Sequence, residues 1–181
     1  MPESVDDVAF RAVMRRVPSP VVVVTAKGET EARGITIGSF TSVSLDPPLV
    51  SFNVGKQSKM EDVMRACDRF AVHVLGEAQV HLANHFALPD LTGAEQFADV
   101  PHQRDAHGTP LLNGASAILH GVPHKALDVS DHTLWIGRIV NVEAEHDDGA
   151  VLYYQRSYRG VGSELRSTLL SPVNRASSES S

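Results

Sequence analysis

The sequence predicts a mainly β protein, with an antiparallel sheet closed into a small barrel and helices packed outside it. Three observations indicate this class. Several short stretches are β-branched or alternate between apolar and polar residues, only two or three stretches have helical periodicity, and the two kinds do not follow the regular order of a parallel βαβ sheet. The chain has 181 residues, 42% of them hydrophobic, so it can bury one sizeable core. We therefore expect one domain, residues 1–162, and a polar, disordered tail, residues 163–181.

The first part of the chain predicts one helix and two strands. The spacing of apolar residues indicates a short helix over residues 6–16, which two prolines end. The run VVVVT at 21–25 and the segment ITIGSFTSVSL at 35–45 predict a pair of strands, joined by the polar residues 27–34.

A polar strand face follows this pair. Pro47 and Pro48 cannot donate ladder hydrogen bonds, so they predict a turn before the next strand, residues 49–54. Alternation directs three apolar side chains of that strand to the core and directs Ser51 and Asn53 to the opposite side. Two interpretations remain open: these polar groups form a hydrogen-bonding wall for a flat ligand, or they face solvent.

The next helix presents a possible anion site. Ser58 followed by Glu61 is a capping-box pattern, which predicts a helix from about Lys59 with one apolar stripe facing the core. The free N–H groups at its start, with Lys56 and Lys59 beside them, suit a phosphate. The alternative is that Ser58 only caps the helix and both lysines are solvated.

The remaining chain predicts three more strands and one more helix. These are a strand over 69–75, a helix over 78–87, a loop-rich stretch over 88–110, and strands over 115–122 and 132–145.

Three histidines, His81, His85 and His132, could contact a ligand or a metal ion. Asp131 and His132 stand at the entry of the last long strand, where the imidazole either touches a cosubstrate or is a hydrogen-bonded turn residue. His81 and His85 are four apart on a predicted helix, but there is no HExxH pattern and no third ligand can be named. We therefore predict no metal site.

Composition limits the classes of partner and location. The net charge is −6 and the pI near 5.8, so no nucleic acid or anionic membrane partner is expected, although one local site can hold a small anion. A single cysteine, Cys67, excludes an internal disulfide framework. We find no signal peptide, no run of membrane-spanning length and no Rossmann, P-loop or hydrolase motif, so we expect a cytoplasmic protein.

Seven blocks of the sequence, taken in order, resemble one family. This is the flavin reductase-like family with an FMN-binding split β-barrel, the short-chain reductases that supply reduced flavin to two-component monooxygenases. The resemblance covers roughly residues 10–160. It is based on GITIGSFTSVSLDPPLVSFNV (34–54), KQSKM (56–60), DRFAVHVL (68–75), LANHFA (82–87), PLLNGASAIL (110–119), DHTLWIGRIV (131–140) and YYQRSYRG (153–160).

The resemblance implies an antiparallel, Greek-key-like split barrel, a homodimer with the flavin near the subunit interface, and site residues for each part of the cofactor. The segment that binds the isoalloxazine ring, largely through its backbone, corresponds to Thr36, Ile37, Gly38, Ser39, Phe40, Thr41 and Ser42. The other flavin contacts correspond to Ser51, Phe52 and Asn53 beneath the ring, Ser58 and Lys59 at the phosphate with Lys56 beside them, Phe86 closing the site, and Tyr158 and Arg159 by position. His132 corresponds to the histidine near the nicotinamide.

Three positions depart from the family pattern. Ser130 stands where glycine often precedes the Asp-His pair, Lys59 stands where arginine is common, and Gly38 replaces a larger residue. Lysine keeps the charge but not the bidentate geometry of arginine.

The function implied is that of an NAD(P)H:flavin oxidoreductase. It would bind FMN, or alternatively FAD, transfer hydride from NADH or NADPH to flavin N5, and supply reduced flavin to a partner monooxygenase. The alternatives are a non-catalytic flavin-binding or storage protein, a barrel that binds another small ligand, and a flavin-dependent reductase with another acceptor such as ferric chelates.

Overall fold

The computed structural model of the chain describes residues 3–144 and 149–164, and the predicted tail lies outside these ranges from residue 165 on. A short 3₁₀ turn, Glu77–Gln79, precedes α3. In chain order the elements are α1 (Asp7–Met14), β1 (Ser19–Pro20), β2 (Val22–Lys27), β3 (Ala32–Ile37), β4 (Thr41–Leu45), β5 (Pro48–Gly55), α2 (Lys59–Ala66), β6 (Phe70–Val74), α3 (Val80–His85), α4 (Gly93–Phe97), β7 (His102–Arg104), β8 (Pro110–Leu112), β9 (Ala117–Val129), β10 (His132–Ala144), β11 (Val151–Tyr154) and β12 (Ser157–Gly160).

The link between β3 and β4 requires the main sheet to curl into a barrel. Seven antiparallel strands lie in the order β3-β2-β6-β9-β10-β5-β4, so β3 and β4 are the two edges. A flat sheet would separate these edges by six strand spacings, about 29 Å. The link Gly38–Phe40 can span only about 14 Å between the strands it joins. The edges must therefore approach each other, which confirms the predicted antiparallel barrel.

Strand β2 is covered on both faces. Val22 and Val24 belong to a core cluster between the main sheet and α2, while Val23 belongs to a second cluster under α3 and α4. All three valines are buried. This explains why the strand is a continuous β-branched run rather than an alternating one.

Helix α1 forms as predicted but buries none of its residues. Four apolar side chains, Phe10, Val13, Met14 and Val17, recur at helical spacing and are between 47% and 63% exposed. We call these four residues the α1 stripe. An isolated helix of this length has marginal stability in water, and such a helix is normally stabilised by packing its apolar face against other elements. An exposed apolar stripe is therefore unusual.

The stretch predicted to be loop-rich, residues 88–110, lies mostly outside helices and strands, as predicted, but it also contains helix α4 and strand β7, which the sequence analysis did not predict. Thr92 and Glu95 form a capping box at the start of α4, and Phe97 is buried in the second core cluster. The helix is too short to display a helical period in the sequence. Among the described residues, every helix is too short or too polar to cross a membrane.

Two predicted strands differ in extent from the observed ones. The segment 35–45 is not one strand, because the chain leaves the ladder after Ile37 and begins β4 at Thr41 on the opposite edge. The strand predicted to end at residue 122 continues to Val129, since β10 pairs with it over its whole length.

The capping box predicted at the start of α2 forms only in part. The Ser58 hydroxyl accepts from a backbone N–H of the first turn, but Glu61 does not return to Ser58. The buried Glu61 carboxylate instead accepts from Thr133 Oγ1 at 2.7 Å and Trp135 Nε1 at 3.0 Å, and pairs with Arg65 at 2.7 Å. Without Glu61, the buried Thr133 hydroxyl and Trp135 N–H would lose this acceptor. The free energy lost in this way is larger than the free energy that an exposed helix cap contributes.

His73 joins three strands through one buried imidazole. Its Nδ1–H donates to the Val23 carbonyl at 3.0 Å, and its Nε2 accepts from the Leu112 N–H at 3.1 Å. The second contact requires the neutral ring, because a protonated Nε2 cannot accept. Burial lowers the pKa of His73 from 6.5 to about 4.

The fold should lose stability as the pH falls from about 6.5 towards 4. The unfolded chain takes up the proton at the higher pKa, so the contribution of His73 is complete above pH 6.5 and lost towards pH 4. We expect a loss of about 3 kcal/mol in the free energy of unfolding, measured by urea denaturation across this range. His73→Gln should flatten the pH dependence, whereas His124→Gln, at an exposed position, should not. Equal slopes in the wild type and His73→Gln would contradict the assignment.

Candidate functional site

Two adjoining cavities lie where β3 meets the end of α3, and Ala87 lines both. The first, the helix cavity, has a volume of about 510 Å³ and is lined by Arg33, Gly34, Ile35, Gln57, Ser58, Lys59, Met60, Phe86, Ala87, Leu88, Pro89, Asp90 and Gln96. The second, the hairpin cavity, has a volume of about 490 Å³ and is lined by Ser19, Pro20, Val21, Thr36, Ile37, Gly38, Asn84, Ala87, Tyr153, Arg156 and Tyr158. Both volumes are typical of small-molecule sites.

The start of α2 presents hydrogen-bond donors to the helix cavity. Within residues 3–144 and 149–164, no group accepts from the backbone N–H of Gln57 or Lys59. The same two residues line the cavity together with Ser58. Free N–H groups at a helix start, beside an ammonium group, favour an anion. The donors predicted for a phosphate therefore meet at one cavity.

Carboxylates lie close to Lys59. Burial raises the pKa of Glu31, but the Gly93 N–H and other donors, with the charge of Lys59, bring it below its ordinary value. The hydroxyl and N–H of Thr92 lower the pKa of Glu95, and the charge of Lys59 lowers it further. The wall of this cavity therefore carries two positive groups, the Lys59 ammonium and the Arg33 guanidinium, and the guanidinium is paired with Glu31 at 2.9 Å.

Strand β3 is held against α3 where the two cavities meet. The Thr36 N–H donates to the Phe86 carbonyl at 3.2 Å, and the Thr36 hydroxyl donates to the Ala83 carbonyl at 2.7 Å. On the other wall of the hairpin cavity, Tyr158 is half-buried, with its ring centroid 5.2 Å from that of Tyr153. Burial raises the pKa of Tyr158, so its hydroxyl remains protonated at neutral pH. The cavity therefore lies between a backbone wall and an aromatic wall.

The hydroxyl-rich segment continues along the edge of the sheet. The Ser39 hydroxyl accepts from the Asn53 N–H at 2.9 Å, and Thr41 is paired with Ser51 across β4 and β5. The two polar segments are neighbours, as the sequence predicted. Ser39, Thr41 and Ser42 are exposed, whereas Ser51 is buried. None of these residues lines the helix or hairpin cavity.

His132 stands at the first position of β10, opposite Gly55 of β5. Its Nδ1–H donates to the Asp131 carboxylate at 2.9 Å, and its side chain is 50% exposed. The hydrogen bond and charge of His132 lower the pKa of Asp131, and the charge of Arg11 contributes further. The Asp131 carbonyl accepts from the Lys56 N–H at 2.9 Å. This arrangement orients the ring and leaves Nε2 available to a ligand.

Three of the predicted aromatic contacts lie in or against the core. Phe52 is fully buried between the main sheet and α2, and Phe40 packs against the same cluster. Because the Phe52 side chain points into the core, only the backbone of Phe52 can contact a ligand. Phe86 lines the helix cavity but is 1% exposed, since its ring packs on Gly34. It forms the floor of the cavity and not a lid over it.

Lys56 and Arg159 lie away from both cavities. The Arg65 guanidinium that donates to Asp128 lowers the pKa of that carboxyl, and the charge of Lys56 lowers it further. Lys56 is therefore near enough to Asp128 for its charge to act on that carboxyl, and it lines neither the helix cavity nor the hairpin cavity. The Arg159 guanidinium lies 5.9 Å from the ring centroid of Tyr154.

Sequence reasoning missed several residues that line the cavities. Asn84, Tyr153 and Arg156 line the hairpin cavity, and each belongs to one of the seven blocks, so the blocks carried a signal for them. Gln96 lines the helix cavity; its side-chain amide accepts from the Gly34 N–H at 3.0 Å and donates to the Gly34 carbonyl at 3.1 Å. It replaces a strand partner at the edge of β3, and nothing local in the sequence indicates this.

The histidine pair on α3 makes backbone contacts. His81 Nδ1 is 3.1 Å from the Ala78 carbonyl, and His85 Nε2 is 2.8 Å from the Gln96 carbonyl. Within the described ranges, no group of three or more His, Cys, Asp or Glu side chains could hold a metal ion.

Comparison with known proteins gives matches along most of the chain. The family described as flavin reductase like domain matches residues 14–162. The chain is 38% identical over 154 residues to the NADH:FMN oxidoreductase of Rhodococcus qingshengii. The aligned region covers 82% of this chain and 79% of that protein. It is 32% identical over 151 residues to the reductase component of 4-hydroxyphenylacetate 3-monooxygenase of Thermus thermophilus, at coverages of 83% and 94%.

A solved structure agrees with these matches. The NADH:FAD oxidoreductase of Streptomyces globisporus, in complex with NAD and FAD fragments, superposes with a TM-score of 0.80 at 36% identity. The similarity covers 89% of this chain and 98% of that one. The fold and the resemblance predicted from the sequence are confirmed, and this chain belongs to the flavin reductase-like domain family.

Proposed function

We propose that this chain is an NAD(P)H-dependent flavin reductase that uses FMN and supplies reduced flavin to a partner monooxygenase. The observation that carries the proposal is the junction of the helix cavity, which offers anion donors, with the hairpin cavity, which offers a flat wall of backbone at Thr36, Ile37 and Gly38. Relatives that are NADH:flavin oxidoreductases and a monooxygenase reductase component support the activity.

The donor set fits a flavin phosphate and ring. The N–H groups of Gln57 and Lys59, the Ser58 hydroxyl and the Lys59 ammonium would hold the phosphate. The backbone of residues 36–38 would hold the ring edge. When bound, the flavin accepts a hydride at N5 from reduced nicotinamide, so the chain needs no general base. Its residues have to align the two rings and exclude water.

We propose FMN and not FAD as the preferred flavin. One phosphate is matched by one helix start and the Lys59 ammonium, since the Arg33 guanidinium in the same wall is already paired with Glu31 at 2.9 Å. A second phosphate, with adenosine attached, would meet the carboxylate of Glu95 near Lys59 or that of Asp90 in the cavity wall. Repulsion between these carboxylates and a second phosphate opposes the binding of FAD.

We propose that His132 positions the nicotinamide of NADH. Asp131 fixes the ring through Nδ1, which leaves Nε2 as the group that faces a ligand. Two of the named relatives, those of Rhodococcus qingshengii and Streptomyces globisporus, are NADH:flavin oxidoreductases, which supports NADH over NADPH.

We propose that two copies of the chain form a homodimer through the α1 stripe. Phe10, Val13, Met14 and Val17 form one continuous apolar face on a helix that buries nothing within its own chain. Burying such a face against a second copy supplies the tertiary packing that a short helix needs. The homodimer implied by the family resemblance agrees with this arrangement.

The proposed activity requires NADH oxidation that depends on added flavin. The purified chain should oxidise NADH faster with FMN than with FAD, and Lys59→Gln should raise the dissociation constant for FMN about tenfold while leaving that for riboflavin unchanged. Flavin fluorescence quenching measures binding, and absorbance at the NADH band measures turnover.

Lys56→Gln is the matched control, because Lys56 lies near Lys59 in the sequence but outside the helix cavity. It should leave FMN affinity unchanged. Flavin binding without turnover would favour a storage protein, and equal losses for FMN and riboflavin in Lys59→Gln would contradict the phosphate assignment.

Replacement of His132 should affect the nicotinamide and not the flavin. We expect His132→Ala to raise KM for NADH about tenfold, the effect of one lost hydrogen bond, with unchanged FMN affinity. His124→Ala, at an exposed position on β9, is the control. Unchanged KM and turnover in His132→Ala would refute this role.

Disruption of the α1 stripe should separate the subunits. Phe10→Asp buries a charge in the proposed interface, so sedimentation should show a shift from dimer to monomer at micromolar concentration. Arg16→Asp changes the charge at the end of the same helix outside the stripe and should remain dimeric. A Phe10→Asp variant as dimeric as the wild type would exclude the stripe as the interface.

A further inference from the structure

A third cavity, next to the hairpin cavity, collects positive charge. It has a volume of about 260 Å³ and lies between α1 and the turn that joins β11 to β12. Arg11, Arg15 and Arg156 line it, and we call it the arginine cleft. Met14 and Val17 of the α1 stripe also line it, so the cleft borders the proposed subunit contact. The whole chain has a net charge of −6, so this local group of guanidinium side chains is opposite in sign to the protein.

The turn that carries Arg156 has a strained backbone. Gln155 and Arg156 have φ values of 49° and 65°, in the left-handed region that glycine and asparagine prefer in a two-residue hairpin turn. Long side chains at such positions persist where the surroundings hold them. Here the Gln155 N–H donates to the Arg15 carbonyl at 3.1 Å, which fastens the turn to the end of α1. The strained turn thus brings Arg156 to the arginines of α1.

The guanidinium groups of the cleft are available to an anion. Among the described residues, no carboxylate lies within 4.0 Å of Arg15 or Arg156, and Arg11 pairs only with Asp7, at 3.5 Å and with both side chains exposed. Exposed pairs of this kind are weak, so a ligand can displace Asp7. Several guanidinium groups around one cleft suit phosphate oxygens, which they can contact in a bidentate manner.

The arginine cleft leads to the proposed reaction site. Ser19, Tyr153 and Arg156 line both this cleft and the hairpin cavity. The cleft therefore adjoins the wall proposed for the flavin ring.

We propose that the arginine cleft binds the diphosphate of the reduced nicotinamide dinucleotide. The nicotinamide then extends into the hairpin cavity, and the exposed ring of Tyr153 stands between the two parts of the ligand. This inference rests on the proposed flavin reductase function. It assigns binding residues to the diphosphate of the cosubstrate, which takes no part in hydride transfer.

The test compares an electron donor that has a diphosphate with one that has no phosphate. Arg15→Gln and Arg156→Gln should each raise KM for NADH about tenfold, and the double variant more, at saturating FMN. Turnover of Arg15→Gln with N-benzyl-dihydronicotinamide, which lacks phosphate, should be unchanged, because Arg15 lines the cleft and not the hairpin cavity. ADP should inhibit the wild type competitively against NADH, and the double variant should lose this inhibition.

Arg16→Gln is the matched control, since Arg16 lies at the same end of α1 but does not line the cleft. An equal rise in KM for Arg16→Gln would show a general effect of surface charge and overturn the proposal. A rise in the FMN dissociation constant would assign the cleft to the flavin and overturn it. Loss of turnover with both donors, together with a change of oligomeric state, would assign it to a subunit contact and overturn it. A wild type that oxidises neither donor with any flavin would instead refute the proposed function.

Discussion

The three residues between β3 and β4 impose the constraint on which the rest of the structure depends. They join the two edges of a seven-stranded sheet, so the sheet cannot lie flat. The barrel follows from this link, and so does its seam, where β3 and β4 stay unpaired with each other among the described strands. Backbone groups at a seam have no ladder partner on one side. The segment Thr36–Ser42, which the resemblance assigns to a flavin ring, begins on this edge, where α3 and Gln96 already bind the backbone of Thr36 and Gly34.

A second constraint fixes the helix that faces the proposed phosphate. Glu61 is buried on α2 and accepts hydrogen bonds from Thr133 and Trp135 of β10. The same strand begins at His132, so one carboxylate couples the orientation of the helix start to the strand that carries the proposed nicotinamide residue. Arg65 completes the set by pairing with Glu61 and lying 5.8 Å from the centre of the Trp135 ring. A buried carboxylate with this many partners specifies one arrangement, because any other leaves a charge unpaired.

Some residues of the candidate site could be predicted from the sequence and others could not. The difference depends on how far apart in the chain the interacting residues lie. Ser58 and Lys59 were found because a helix start is a local pattern, and Asp131–His132 because the pair enters a strand. Gln96 was missed because its role is to replace a strand partner for Gly34, 62 residues away. Glu61 was assigned to the wrong partner, since its local pattern indicated Ser58 while its actual donors lie on β10. Arg156 lay within a recognised block, but only the observed left-handed turn connects it with α1.

The sequence by itself determined the class of fold, the order of the strands along the chain, the core alternation of β5 and the stripe of α2, because these depend on periodicity and on neighbours a few residues apart. The seven blocks also identified the family. Only the tertiary structure decided that β3 and β4 would be opposite edges, that Lys56 would lie outside both cavities, and that α1 would lie beside the β11–β12 turn. These features arise from contacts between residues distant in the chain, whose free energy depends on burial and charge in the folded state.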